Sequence, residues 1–196
     1  MRYSTLTALA TALLAMVVFD GCKSSMPPTD FVNPEFDFGF VERIAVMPFE
    51  NDTNDRMAAS RVTRLTLTEL LASGAFDVVE PGEVEAAVNQ IEDLSLRQAG
   101  RPSKAHIAAL GQSLQAQALI LGSVTQSGII RSGQVNIPVV TIDMRMVETE
   151  TGVVVWAATH SEKGSNVSSK ILGTGGVPLA QTTRLCVQGT LATLID

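Results

Sequence analysis

Apolar and polar side chains alternate without a break between positions 140 and 146. The apolar set is Val140, Ile142, Met144 and Met146, and the residues between them are threonine, aspartate and arginine. A period of two indicates a β-strand that buries one face. The stretch 149–152 (TETG) then predicts a tight turn in which Gly152 takes a positive φ, and 153–159 (VVVWAAT) predicts a strand that returns antiparallel. The sequence therefore predicts a strand pair with one face on a core.

Upstream of this pair, short apolar runs alternate with helical stripes. Pro48 stops the first run, and Pro81 and Ser103 stand where the first turn or the N-cap of a helix favours them. The predicted elements are a strand at 43–49, a helix at 56–73, a strand at 76–80, helices beginning near Pro81 and Ser103, and a strand at 116–126. A serine- and glycine-rich connection at 161–177 precedes a helix from about Pro178. The order β-α-β-α-α-β-β-β predicts an α/β sandwich, with helices packed on a mixed sheet, plus a C-terminal helix.

The first 21 residues are typical of an export signal. Arg2 precedes an apolar run from Leu6 to Phe19 that only two threonines interrupt. This run is shorter than the roughly 20 residues of a membrane-spanning helix. The alternative is a buried N-terminal helix, but the run offers no polar face toward solvent.

Cys22 lies directly behind this leader. The pair Gly21-Cys22 resembles a bacterial lipobox, whose cysteine becomes acylated and forms the new N-terminus, although Phe19 and Asp20 depart from that pattern. Lys23, by the same resemblance, implies sorting to the outer membrane, where the acyl chains would anchor the protein. The alternative is ordinary cleavage that leaves Cys22 as a free thiol. Cys186, left without a partner, lies on the apolar stripe of the last predicted helix, and we expect it to be buried.

Residues 22–40 are predicted to form a lipidated tether, followed by one periplasmic domain at 41–196. Three prolines argue against a helix in the tether, yet its second half contains four phenylalanines: Phe31, Phe36, Phe38 and Phe40. The alternation at 36, 38 and 40 predicts an extended strand that lays one face on something. That face covers either the domain's own sheet or a partner. We expect the partner surface to combine these four phenylalanines with the loop after the first strand.

The residues that could support catalysis or bind a cofactor are few. His106 and His160 have no carboxylate or thiol at ligand spacing, so both are expected to be ordinary surface or half-buried histidines and no metal is expected. The glycine-rich stretch 173–176 matches neither phosphate-loop pattern, so no cofactor is expected. A formal net charge of −6 disfavours nucleic acid as a partner. The sequence predicts a protein that is not an enzyme.

Several stretches together resemble a known family of envelope lipoproteins. They are the strands 43–49 (RIAVMPF) and 76–80, Leu110-Gly111 before 118–124 (ALILGSV), and 143–152 (DMRMVETETG) leading to Trp156. They look like the lipoprotein domain of the curli secretion channel CsgG, and they are equally similar to LpoB, the lipoprotein activator of a penicillin-binding protein. The likeness covers most of 41–196 and implies the fold more than the function.

The two relatives imply different functions. A curli-type channel would contain long alternating hairpins of membrane β-strands, and Ser127–Gln134 is too short a connection to contain one, while 161–177 shows no alternation. We therefore expect an outer-membrane lipoprotein whose domain faces the periplasm. It would bind other envelope proteins as a non-catalytic accessory factor in secretion, in transport or in peptidoglycan synthesis. The alternative is a homo-oligomeric, CsgG-like component of a secretion channel.

Overall fold

The computed structural model describes residues 27–95, 99–132, 135–164 and 177–195. Its strands are β1 (Thr29–Val32), β2 (Arg43–Val46), β3 (Glu50–Asn51), β4 (Asp77–Val78), β5 (Ala118–Ser132), β6 (Val135–Glu148) and β7 (Val154–Lys163). Its α-helices are α1 (Ala58–Ser73), α2 (Pro81–Gln90), α3 (Lys104–Leu114) and α4 (Leu179–Ile195), and a 3₁₀ helix spans Phe38–Phe40. The predicted mixed α/β architecture with a C-terminal helix is confirmed.

The seven strands form one mixed sheet in the order β1-β7-β6-β5-β2-β4, and β3 extends the pairing along β5 beyond β2. β2 is parallel to β4 and to β5, whereas β5, β6, β7 and β1 are joined by antiparallel pairs. The parallel half follows from the helices that connect its strands, and the antiparallel half follows from the hairpins. Helices cover both faces, so the fold has three layers.

The two faces of β6 differ as the alternation predicts. Its even-numbered residues from 140 to 146 are buried in a core that α1 and α4 close. Trp156 of β7 belongs to this core, and its indole Nε1–H donates to Thr193 Oγ1 of α4 at 3.1 Å. Burial of each aliphatic side chain in this core contributes roughly 1.5–3 kcal/mol to the free energy of unfolding. A second core lies between the other face of the sheet and helices α2 and α3.

Sequence signals for the helix ends are also confirmed. Pro81 begins α2, and Ser103 caps α3, with its Oγ accepting from the His106 N–H at 3.2 Å. Gly74, with φ of 65°, ends α1, and Gly152, with φ of 69°, completes the turn between β6 and β7.

Two connections predicted from glycine and serine content are instead parts of strands. β5 and β6 pair as far as Ser132 opposite Val135, so 127–132 is the far part of a long paired strand and not a connecting loop. β7 continues to Lys163, so the first three residues of the connection predicted at 161–177 belong to a strand. Cross-strand pairing supplies the hydrogen bonds that hold these weakly β-forming residues in extended conformation. The rest of that connection, 165–176, lies outside the described residues.

Candidate partner-binding site

Three of the four phenylalanines predicted to bind a partner form a cluster between β1 and β2. The ring centroid of Phe36 lies 4.9 Å from that of Phe38 and 5.1 Å from that of Phe40, both edge to face. The carboxylate of Asp37 accepts from the Gly39 N–H at 2.8 Å and begins the 3₁₀ turn. The strand predicted at these positions is therefore wrong, because a side chain–backbone bond competes with extended structure. We call Phe36, Phe38 and Phe40 the aromatic cluster.

The members of the aromatic cluster differ in exposure. Phe36 and Phe38 are partly buried against the main core. Phe40 keeps 45% of its surface exposed. The first two therefore fix the segment to the domain, and the Phe40 ring remains accessible to solvent.

Phe31 is not part of the aromatic cluster. It lies on β1 opposite Ala157 of β7 and is 50% exposed. It lines a separate shallow groove of about 350 Å³ on the sheet, with Arg145 among the other lining residues. The loop after the first strand is also remote, because β2 carries the chain away from Phe40 and Glu50 pairs beside Ser123. The structure therefore divides the predicted partner surface into three places.

A larger groove of about 740 Å³ begins at Phe40. It runs between the C-terminal half of α3 and the turn that joins β6 to β7. We call it the amide groove, and its lining residues are Phe40, Ala108, Gly111, Gln112, Gln115, Ala116, Gln117, Glu148, Thr149 and Glu150. Sequence reasoning did not assign the glutamines or glutamates of this groove to a site, since they are far apart along the chain and match no motif.

Contacts between Gly111 and Thr149 form the floor of the amide groove. A Cβ added at Gly111 would lie 2.3 Å from the Thr149 Cβ, so only glycine permits this approach of α3 to the turn. Thr149 is 6% exposed, and its hydroxyl donates to the Ala116 carbonyl at 2.8 Å. Its backbone N–H donates to the Gln117 carbonyl at 2.9 Å. The floor is thus cross-linked by hydrogen bonds on buried backbone.

Gln115 stands at the end of α3 in the left-handed region, with φ of 51°. Glycine is the usual residue at such a C-terminal cap because other residues pay a steric cost there. Its side chain is exposed at the rim of the amide groove. A non-glycine residue held at this position is the kind of strained feature that clusters at functional sites.

Two carboxylates give the amide groove its charge. Glu148 accepts a hydrogen bond from the Thr151 hydroxyl, and Glu150 is exposed. Arg43 lies next to the groove, and its backbone N–H donates to the Gln117 Oε1 at 2.7 Å. The guanidinium of Arg43 pairs with Asp77 at 2.6 Å and with Glu83 at 3.1 Å, and its Nε–H donates to the Leu114 carbonyl at 3.2 Å. The groove therefore combines an aromatic ring, the exposed side-chain amides of Gln112 and Gln115, and negative charge, which suit a peptide with basic and apolar side chains.

The two histidines occupy different environments. His106 is half-buried on α3, as predicted. His160 is 5% exposed, with its Nε2 3.4 Å from Glu162 Oε2, so the expectation of a surface or half-buried residue is wrong. Gly189 of α4 covers the His160 ring, which is why it is buried. Within the described residues, no group of three or more histidine, cysteine or acidic side chains could hold a metal ion.

Cys186 is fully buried, as predicted, with its thiol 3.4 Å from the His160 carbonyl and 3.5 Å from the Val140 carbonyl. Burial raises the pKa of the Cys186 thiol to about 12. Cys22 and the predicted export signal lie outside the described residues. In the part of the chain that is described, no helix has both the length and the apolar content to span a bilayer.

Comparison with known families identifies the class of this protein. The model of the family described as "Peptidoglycan-synthase activator LpoB" matches residues 38–161. This match covers more than half of the chain, from the 3₁₀ helix to β7, and the chain therefore belongs to the LpoB family. The family is one of accessory proteins of the cell envelope, as the sequence predicted. A search of curated proteins returned no match.

Solved structures share the fold at low sequence identity. The PelC dodecamer from Paraburkholderia phytofirmans is 19% identical with a TM-score of 0.58, over 86% of this chain and 96% of that one. Lipoprotein GNA1162 from Neisseria meningitidis is 19% identical with a TM-score of 0.54, over 67% and 90%. The LpoB C-terminal domain from Escherichia coli is 22% identical with a TM-score of 0.48, over 64% and 86%. The family match supports the LpoB part of the predicted resemblance, and the curli-type part gains no support.

Proposed function

We propose that this protein is a non-catalytic activator of peptidoglycan synthesis that is anchored to the outer membrane through acylated Cys22. Its domain faces the periplasm and binds a peptidoglycan synthase through Phe40 and the amide groove. The observation that carries this proposal is the family match, because residues 38–161 include both Phe40 and every lining residue of the groove.

The chemistry of the groove supports a protein partner. An exposed aromatic ring supplies contact area at low conformational cost, and aromatic residues are enriched where partners bind most tightly. Glu148 and Glu150 would attract a basic segment and speed its association. The buried hydrogen bonds of Thr149 hold the floor in place before a partner arrives, which lowers the entropic cost of binding.

The anchor at Cys22 is supported by the apolar leader and by the Gly21-Cys22 pair. Mass spectrometry of the protein extracted from membranes tests it directly, since acylation adds the mass of the chains to an N-terminal peptide that begins at Cys22. Replacement of Cys22 by serine should release the protein from the membrane fraction. An unmodified Cys22 in the membrane-extracted protein would contradict the anchor.

Binding and stimulation of the synthase test the function itself. Purified peptidoglycan synthases of the same organism are mixed with the protein, and the dissociation constant and the rate of peptidoglycan synthesis are measured. Phe40→Ala should raise the dissociation constant by about tenfold or more, as expected for a central aromatic contact. Leu71→Ala, at a 54% exposed position on α1, is the matched control and should leave it unchanged.

Replacing all four phenylalanines by serine would not test binding alone. Phe36 and Phe38 pack against the core, so their loss would also destabilise the fold. If Phe40→Ala and Leu71→Ala lowered the affinity for the synthase equally, Phe40 would not be part of the binding surface. If no synthase binds or responds to the unaltered protein, the proposal fails.

The oligomeric state provides an independent test that separates the activator from a ring-shaped channel component. An activator of this kind is expected as a monomer or dimer, and light scattering of the acylated protein in mild detergent measures its mass. The dodecameric state is a property of the PelC relative, with which this chain shares 19% identity and the fold. A closed ring of many copies would favour the channel alternative over the activator.

A further inference from the structure

The far end of the β5–β6 hairpin carries exposed apolar side chains. Ile129 is 63% exposed and Ile130 is 39% exposed, and they belong to the last paired residues of the hairpin. β7 pairs with β6 only as far as Val139, and β3 pairs with β5 only as far as Val124. The hairpin therefore projects past its neighbours in the sheet, and two isoleucines remain uncovered near its end. We call Ile129, Ile130 and Arg131 the hairpin tip.

The charge of this hairpin differs from that of the rest of the chain. Residues 125–142 contain no aspartate or glutamate, and their one charged residue is Arg131, in a chain whose formal net charge is −6. An acidic protein is repelled by anionic lipid unless it approaches through a surface of this composition. Isoleucine and arginine together suit the boundary between lipid headgroups and acyl chains.

The direction of β1 sends the residues before Thr29 toward the same end of the molecule. Thr29 pairs with Thr159, which pairs with Asp143, and β1 runs antiparallel to β7. The chain that precedes Thr29 therefore leaves the sheet toward the end where β6 begins, which is the end of the hairpin tip.

The lengths agree as well. Cys22 is seven residues from Thr29, so a lipid on Cys22 lies at most about 25 Å from the start of β1. Ile130 pairs with Ile137, six residues along β6 from Asp143, which places the hairpin tip about 20 Å beyond the level of Thr29. An anchor with this reach is long enough for the hairpin tip to touch the bilayer surface.

We propose that the hairpin tip is a second membrane contact, at which Ile129 and Ile130 enter the lipid interface while Arg131 meets anionic headgroups. This inference rests on the proposed anchor at Cys22. The contact is weak alone, but the anchor keeps the tip at a high effective concentration near the surface. Two points of attachment fix how the domain is oriented on the membrane, which one lipid tether cannot do.

Site-specific fluorescence tests the contact. Ile129→Cys is labelled with an environment-sensitive NBD maleimide in the full acylated protein, where Cys22 is blocked and Cys186 is buried. The protein is reconstituted in vesicles of phosphatidylethanolamine and phosphatidylglycerol with brominated acyl chains, which quench only probes in contact with them. Leu71→Cys, also exposed but in the last turn of α1, is the matched control. We expect the label at 129 to be quenched several-fold more than the label at 71.

A second preparation separates this inference from the acylation of Cys22. The mature chain carries a histidine tag in place of Cys22 and is bound to vesicles that contain nickel-chelating lipid. Quenching of the label at 129 in both the acylated and the nickel-bound protein would support both the tip contact and the acylation of Cys22. Quenching in the nickel-bound protein alone would support the tip contact and contradict the acylation. Equal quenching at 129 and 71, or none at 129 in vesicle-bound protein, would overturn the tip contact. Crosslinking from 129 to a protein in cells, without lipid quenching, would do the same.

Discussion

Gly111 of α3 lies against Thr149 of the β6–β7 turn so closely that a single added methyl group would overlap the threonine side chain. The two residues are 38 positions apart and belong to two different stretches that resemble the LpoB family. Their contact joins the helix to the turn and forms the floor of the amide groove. The family pattern therefore marks a packing contact beneath a proposed binding surface.

Replacement of Gly111 by alanine tests this contact. The new Cβ would lie 2.3 Å from Thr149 Cβ, so the helix or the turn must shift, and overpacking of this kind costs about 1–3 kcal/mol in the free energy of unfolding. Gly82→Ala in α2 is the control, since nothing lies within 4 Å of its added Cβ and helix propensity favours alanine by up to about 1 kcal/mol. Urea denaturation followed by the single tryptophan measures both. Equal effects of the two changes would show that the contact is looser than described.

Replacement of Gln115 by glycine should separate stability from binding. Glycine relieves the left-handed conformation at φ of 51° and should stabilise the fold by roughly 0.5–1 kcal/mol, while a groove side chain is lost. The expected result is a more stable protein with weaker affinity for the synthase. Asp93→Gly, at φ of 61° and outside the amide groove, is the control and should leave affinity unchanged. Unchanged affinity in both variants would exclude the Gln115 side chain from the interface.

Asp55 should make the free energy of unfolding depend on pH in the acidic range. Its hydrogen bond with Arg61, assisted by the Met57 N–H, holds the pKa of the Asp55 carboxyl below its ordinary value of 3.8. The folded state therefore binds the proton less tightly than the unfolded chain, and the stabilisation is present above pH 3.8 and lost as pH falls through the folded pKa. Asp55→Asn should lower the free energy of unfolding by about 1 kcal/mol or less at neutral pH, because the pair is partly exposed. The difference from the unaltered protein should shrink on acidification, and a constant difference would contradict this assignment.

Cys186 gives the opposite pH dependence. Burial raises the pKa of its thiol from 9.0 to about 12, so above pH 9 the unfolded chain loses a proton that the folded protein keeps. Stability should fall by up to about 1.4 kcal/mol per pH unit in that range. Cys186→Ala should be less stable at neutral pH but lack this component of the pH dependence. Ellman's reagent should not react with the folded protein, and rapid reaction without denaturant would contradict the burial of the thiol.

The sequence was sufficient where a regular pattern and burial agree. The alternation at 140–146 predicted both faces of β6, and Pro81, Ser103 and Gly74 predicted helix ends because their local chemistry does not depend on distant residues. The same pattern failed at 36, 38 and 40, where Asp37 bonds to the Gly39 N–H and turns the chain. Aspartate two residues before glycine was the available signal for that turn.

The amide groove could not be predicted, because its walls meet only after β5 and β6 pair over their whole length. Gly111 carried no local signal for its role, since helices tolerate an isolated glycine for many reasons. The length of the hairpin was also hidden, as Gly128 and its polar neighbours favour a loop until pairing with β6 overrides that preference. Long-range pairing thus decided both the proposed binding site and the proposed membrane contact.

The hairpin tip and the amide groove lie at opposite ends of β5, which runs for 15 residues. A strand of that length spans roughly 45–50 Å, so under the two proposals the hairpin would be a rigid spacer between the bilayer and the partner. Removal of two residues from each strand, in register, would lower the groove by about 7 Å without turning either face of the sheet. In the proposed arrangement, the number of residues in this hairpin would set the height of the proposed binding surface above the outer membrane.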